Sequence, residues 1–203
     1  MIGIVDYNMG NLASVINAFT KVGTDATLES DPAKLSQYDK LILPGVGAFG
    51  DAMEHLKENG MHEAVIAFAN SGKPLLGICL GMQLLFESSE EFGSTKGLGL
   101  IPGKVVAFDE AQFDHPQKVP HMGWNELFQK KETALFKDLK DDFYLYFVHS
   151  YHAVCDDKYA IGKTHYGYEF VSAVQNINIY GIQPHPEKSH ENGLQIIENF
   201  VNL

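Results

Sequence analysis

The sequence predicts an α/β fold: a mixed, mostly parallel central sheet flanked by helices, with antiparallel additions in the C-terminal half. Three observations carry this. Up to Glu90, apolar runs of strand length alternate with stretches of helical periodicity, in the order β-α-β-β-α-β-α. After Glu90, Gly93, Gly97, Gly99 and Gly103 break the chain, and short β segments follow at the close spacing of antiparallel pairs. Between the two halves, Leu75–Ile78 runs through Gly77-Ile78-Cys79-Leu80-Gly81 into a helical pattern, a sharp strand-to-helix turn. No repeat, linker or low-complexity tract interrupts residues 1–203, which predicts a single domain.

Taken in order, Ile2–Asp6 is the first strand, expected near the sheet centre. A polar loop, Tyr7-Asn8-Met9-Gly10-Asn11, leads into a helix from about Leu12 to Val22. The loop lacks the G-x-G-x-x-G spacing of a dinucleotide site. Ala26–Leu28 makes a short second strand, and Asp31 before Pro32 is a natural cap. Lys40–Leu43 is the third strand and opens directly into Pro44-Gly45-Val46-Gly47-Ala48-Phe49-Gly50. Its glycines free the backbone to present N–H groups, at the carboxyl end of a strand where α/β ligands gather. Asp51–Gly60 and Met61–Asn70 read as helices. In the second half the β segments are Lys104–Phe108, Tyr144–Val148, Tyr151–Val154, Ala160–Thr164, Ser172–Gln175 and Ile179–Gln183, with Gln112–Lys118 a polar surface loop. His190–Val201 is the last helix.

The formal charge is −11, and all fifteen basic residues are lysine, with no arginine. That balance argues against nucleic acid, which requires a basic face. It also removes any arginine fork for a carboxylate or phosphate, so the substrate of this chain is expected to carry no phosphate. The apolar runs are too short and too broken by charge to span a membrane. Met1–Asp6 reads as a strand and has no features of a signal peptide. Cys79 and Cys155 are expected as free thiols in the cytoplasm.

Cys79 stands where a G-x-S-x-G elbow carries its nucleophile. A thiol there lies at a helix N-terminus, which favours thiolate, and the Leu80 N–H is free to meet a developing oxyanion. On its own Cys79 reads equally well as a buried, inert thiol at a strand end. A hundred residues on, Gln183-Pro184-His185-Pro186-Glu187-Lys188-Ser189 follows the last strand. Prolines on both sides stiffen His185. Glu187 is close enough in sequence to bind Nδ1, leaving Nε2 to take a thiol proton. Alone, this stretch reads more readily as an exposed loop with a surface ion pair.

Together, Gly77-Ile78-Cys79-Leu80-Gly81-Met82-Gln83, Pro44-Gly45-Val46-Gly47 and His185-Pro186-Glu187-Lys188-Ser189 resemble the class I (triad) glutamine amidotransferases. Asp6–Asn11, Pro120-His121-Met122-Gly123-Trp124-Asn125 and Phe147-Val148-His149-Ser150-Tyr151 are similar to the members that deliver ammonia to a (β/α)8 cyclase subunit. The resemblance spans nearly the whole chain and implies a flavodoxin-like sheet. It implies hydrolysis of L-glutamine to glutamate and ammonia by a catalytic Cys79–His185–Glu187 triad, without a cofactor. The bare elbow is also shared with DJ-1-like and other cysteine hydrolases, and the family includes paralogues that feed other acceptors, such as enzymes of surface-sugar pathways.

The same resemblance implies an oxyanion hole at Leu80 and at the Val46–Gly47 loop, which in relatives flips a peptide to aim its donor. It implies glutamine contacts at Gly47, Gln83, Ser150 and Tyr151. It puts Met9, Asn11, His121, Met122, Trp124, Tyr146 and Lys188 against the cyclase. Trp124, the only tryptophan, suits an interface anchor and equally a core residue. His149 is expected to support structure. His55, His62, His115, His165 and His190 lack metal-ligand spacing, so no metal is expected. One departure stands out: Pro184 occupies the position where relatives carry Phe, removing a backbone N–H beside His185.

Overall fold

A computed structural model of the chain describes residues 1–203. Its first half contains β1 (Ile2–Val5), α1 (Leu12–Lys21), β2 (Ala26–Glu29), β3 (Lys40–Leu43), α2 (Phe49–Glu58), α3 (Met61–Asn70), β4 (Leu75–Ile78) and the short α4 (Leu80–Leu84). The second contains β5 (Phe86–Ser89), β6 (Thr95–Lys96), β7 (Ile101–Ala107), β8 (His121–Gln129), β9 (Asp142–His149), β10 (Tyr151–Val154), β11 (Ala160–Tyr166), β12 (Tyr168–Asn176), β13 (Ile179–Ile182) and α5 (His190–Val201).

All thirteen strands join one sheet, with the path β2-β1-β3-β4-β13-β12-β10-β7-β5-β6. The five strands from β2 to β13 are parallel. Beyond β13 the pairing turns antiparallel, except that β5 lies parallel to β7. β11, β8 and β9 form an antiparallel branch from β12. β1 is therefore interior but not central, because β2 alone lies outside it. β4 and β13 take the more central place.

Helices cover both faces. Along β3, Leu41 and Leu43 enter the core beneath α2 and α3, while Ile42 enters the core beneath α1 and α5. This alternation follows from the two-residue period of a strand. α1 buries Val15, Ala18 and Phe19, spaced at three and four residues, and Asn11 Oδ1 accepts the Ser14 N–H at its start. α2 begins at Phe49, two residues before the expected start, because the Glu91 carboxylate accepts the Phe49 N–H at 2.9 Å. No helix is long and apolar enough to cross a membrane.

Candidate active site

Cys79 leaves β4 with φ 54° and ψ −112°. Positive φ is strained for a residue with a Cβ, and such strain is held only where the surroundings enforce it. The two glycines enforce it here. A Cβ on Gly81 would meet Leu43 O at 1.8 Å, and one on Gly77 would meet Gly81 O at 2.5 Å. The turn thus packs against β3 with no room for a side chain. α4, which follows, has only five residues, shorter than its apolar pattern indicated, because Phe86–Ser89 pairs as a strand. Leu80 opens this helix, so its N–H has no intrahelical partner.

His185 is set opposite by a separate scaffold. Its N–H donates to Tyr146 O at 2.9 Å, and the Tyr146 N–H donates to Ser189 Oγ at 2.9 Å. Ser189 Oγ in turn donates to His185 O at 2.5 Å. The loop after β13 is stapled to β9 by these bonds, and the missing N–H of the buried Pro184 leaves them intact. Nδ1 of His185 lies 2.7 Å from Glu187 Oε1, and both side chains are 3% exposed. The ring is buried, and Nε2 makes no hydrogen bond. Burial pulls this histidine down. The nearby Cys79 sulfur and the Glu187 carboxylate outweigh burial and push it up to about 10.

Cys79 and His185 line one cleft of 270 Å³. That is just under the usual range of ligand sites, roughly 300 Å³ and above, and suits a single amino acid. Val46, Gly47, Leu80, Gln83, Ser150 and Tyr151 share the wall, as do His149, Glu91 and Lys188. None of the Gly45, Val46 and Gly47 peptide groups is tied by a backbone hydrogen bond, and Gly47 has φ +108°. Gln83 is not a solvated helix residue. It is 5% exposed, and its Nε2 donates to Tyr151 O and to Gln183 Oε1 at 3.2 and 3.1 Å.

Two residues were not picked out in the sequence: Gln183, buried behind Cys79, and Glu91, in the cleft wall. Gln183, fully buried, donates to Cys79 Sγ at 3.7 Å. It was visible in sequence only as the residue before Pro184. Glu91 ends an acidic stretch that resembles a solvated surface, and nothing local marks it.

The residues expected against a partner divide. Met122 and Trp124 are 61% and 47% exposed on β8, opposite Val148 and Tyr146 of β9. Trp124 stacks on His190 with ring centroids 5.1 Å apart, so it is not a core residue. Asn11 is exposed, while Met9, Tyr146 and Lys188 are half-buried. His121 does not belong to this face. It is 2% exposed, because the alternation of β8 turns it inward. There its Nδ1 meets His149 Nε2 at 2.9 Å, within a cluster of aromatic rings. Burial pushes His121 down to about 4. It holds His149 well below the ordinary range, with the neighbouring His121 adding to the effect.

The family model for class I glutamine amidotransferases matches residues 4–203. The chain is 71% identical to imidazole glycerol phosphate synthase subunit HisH of Sulfurimonas denitrificans, over 99% of this chain and 97% of that one. It is 58% identical to the protein of the same name from Wolinella succinogenes, over the full length of both. Among solved structures, PurLQS from Thermotoga maritima superposes with a TM-score of 0.78 at 21% identity. That match covers 99% of this chain and 97% of the other. It speaks to the fold alone. With its near-complete family match and full-length relatives, the chain belongs to the class I glutamine amidotransferases.

Proposed function

We propose that this chain is the glutaminase subunit of an imidazole glycerol phosphate synthase. Residues 1–203 form a single glutamine amidotransferase domain that hydrolyses L-glutamine to glutamate and ammonia. The ammonia passes to a (β/α)8 cyclase subunit in a heterodimer. The cyclase uses it to make imidazole glycerol phosphate and aminoimidazole carboxamide ribotide in histidine biosynthesis, in the cytoplasm. The names of the relatives at 71% and 58% identity support this choice of partner.

The observation that carries the chemistry is the buried His185, with Nδ1 held by Glu187 and Nε2 unpaired in the cleft of Cys79. Cys79 Sγ attacks the carboxamide carbon. His185 takes the thiol proton and returns it to the leaving ammonia, and water then cleaves the thioester. The Leu80 N–H and a donor from Val46–Gly47 stabilise the oxyanion. Glu91 supplies the negative charge that the α-ammonium of glutamine requires, and Gly47, Gln83, Ser150 and Tyr151 hold the amino-acid end. Met9, Asn11, Met122, Trp124, Tyr146 and Lys188 face the cyclase.

The test is release of glutamate from glutamine by the chain alone, with the cyclase, and with the cyclase and its nucleotide substrate. Turnover is expected to rise along that series as the untied Gly45–Gly47 peptides turn an N–H toward the substrate. Cys79→Ala is expected to abolish it while ammonia-dependent synthesis by the complex persists. Peptide cleavage without glutamate release would overturn the reading.

A further inference from the structure

Gln183 follows β13 directly, as Cys79 follows β4. The two strands are parallel and in register, Ile182 beside Ile78, so these residues leave the sheet side by side. The backbone fixes both: the Cys79 N–H donates to Ile182 O, and the Gln183 N–H donates to Ser172 O, each at 2.8 Å. A buried primary amide needs partners for its donors and its acceptor. Gln183 has them in Gln83 Nε2, 3.1 Å from its Oε1, and in the Cys79 sulfur, 3.7 Å from its Nε2.

The direction of this pair follows from its neighbours. Tyr151 O, a carbonyl, only accepts. It takes a hydrogen bond from Gln83 Nε2 at 3.2 Å and another from His149 Nδ1 at 2.8 Å. Turned about, Gln83 would set its own oxygen against Tyr151 O and Gln183 Oε1. Gln83 therefore presents its nitrogen to Gln183, which answers with oxygen and turns its N–H toward the sulfur.

We propose that Gln183 is a further catalytic residue of the glutaminase reaction, its side-chain N–H donating to the Cys79 sulfur and stabilising the attacking thiolate. The proposal rests on the function assigned above. The other polar neighbour of the sulfur is Val148 O at 3.9 Å, which accepts from a thiol and repels a thiolate. When His185 removes the proton, the S–H···O contact is lost and the N–H···S contact becomes charge-assisted and stronger. Gln83 acts through Gln183 as a positioning residue, and its own oxygen stays available to glutamine.

The experiment reads the sulfur itself. In a Cys155→Ser background the full chain is alkylated with iodoacetamide from about pH 5 to pH 9, where thiolate content sets the rate. The titratable groups around the sulfur are His185 and Glu187 after β13, Tyr7 after β1, His149 on β9, and Glu91 and Lys188 in the cleft wall. All remain in place in the variants. Gln183→Leu is expected to move the alkylation profile up by roughly one pH unit and to lower kcat for glutamate release about tenfold, with less change in KM. Gln183→Glu keeps the shape and the acceptor for Gln83 but faces the sulfur with a carboxylate, so its profile moves further. It also decides the matter if the leucine variant does not fold. An unmoved profile in the folded variants would overturn the proposal even if kcat fell, because packing alone then explains the loss. Failure of the wild-type chain to release glutamate, with or without the cyclase, would instead overturn the glutaminase reading and leave the alkylation result standing.

Discussion

Glu187 Oε1 lies 2.7 Å from His185 Nδ1, with both side chains almost wholly removed from solvent. A charged acceptor at that nitrogen fixes the tautomer and favours imidazolium against the cost of burial. Glu187→Gln keeps the shape and removes the charge. The Cys79 sulfur then pushes alone against burial, so His185 becomes a weaker base and no carboxylate fixes its tautomer. Kcat for glutamate release is expected to drop about 100-fold or more while KM moves little. Steady-state kinetics of the complex check this, and an unchanged kcat would show that another group orients His185.

The elbow offers a test of packing. Gly81→Ala places a methyl 1.8 Å from Leu43 O, a rigid backbone atom of β3. Either β3 or the turn must shift, and overpacking of this kind costs roughly 1–3 kcal/mol or more. Thermal unfolding is expected to show a lower Tm. Activity is expected to fall further than stability does, since Cys79 moves with the turn. A variant with wild-type Tm would show that the strained backbone at Cys79 is not set by this contact.

Much of this architecture was legible in the sequence because the determining signals were local. Leu75–Ile78 and Lys40–Leu43 are apolar runs that end in glycines, and both strands lie where the pattern put them. His121–Gln129 was not read as a strand. Its exposed residues, Met122 and Trp124, are apolar, and this masks the alternation. The start of α2 shifted because Glu91, 42 residues away, caps it. The same limit applies at the cleft. Cys79, His185 and Glu187 announce themselves by motif, whereas Gln183 matters through a contact with Cys79 that only the register of β4 and β13 creates.

The exposed face of β8 and β9 gives a binding prediction. Trp124 stacks flat on His190 and lies edge-on to Tyr146, so it is held rigidly while half its surface stays open. Rigid aromatic anchors dominate interfaces, and their truncation costs about 2 kcal/mol or more. Trp124→Ala is therefore expected to raise the Kd for the cyclase roughly 30-fold, as read by titration calorimetry. Unaltered affinity would move the docking face elsewhere.

The histidines set the pH range in which the fold is most stable. Burial holds His121 near 4, His149 well below its ordinary value, and His152 below it as well. Unfolded histidines bind protons near pH 6.5. Above that pH all three are neutral in both states and contribute no pH dependence. As pH falls from 6.5 toward 4, the unfolded chain binds protons that the folded chain refuses, so stability falls. The slope is up to about 1.4 kcal/mol per pH unit for each histidine. His185 works in the opposite direction. Pushed up to about 10, it contributes stability that is fully present below pH 6.5 and is lost as pH rises through 10. These groups together place the maximum of Tm near neutral pH, with a steep acid limb. His152 Nε2 lies 2.8 Å from Tyr168 Oη. His152→Gln retains a polar reach toward that hydroxyl and removes one titration, so the acid limb is expected to become shallower by about one histidine's share. Calorimetric Tm values from pH 7 to pH 4 measure it, and identical slopes in the two proteins would show that His152 takes up its proton without unfolding.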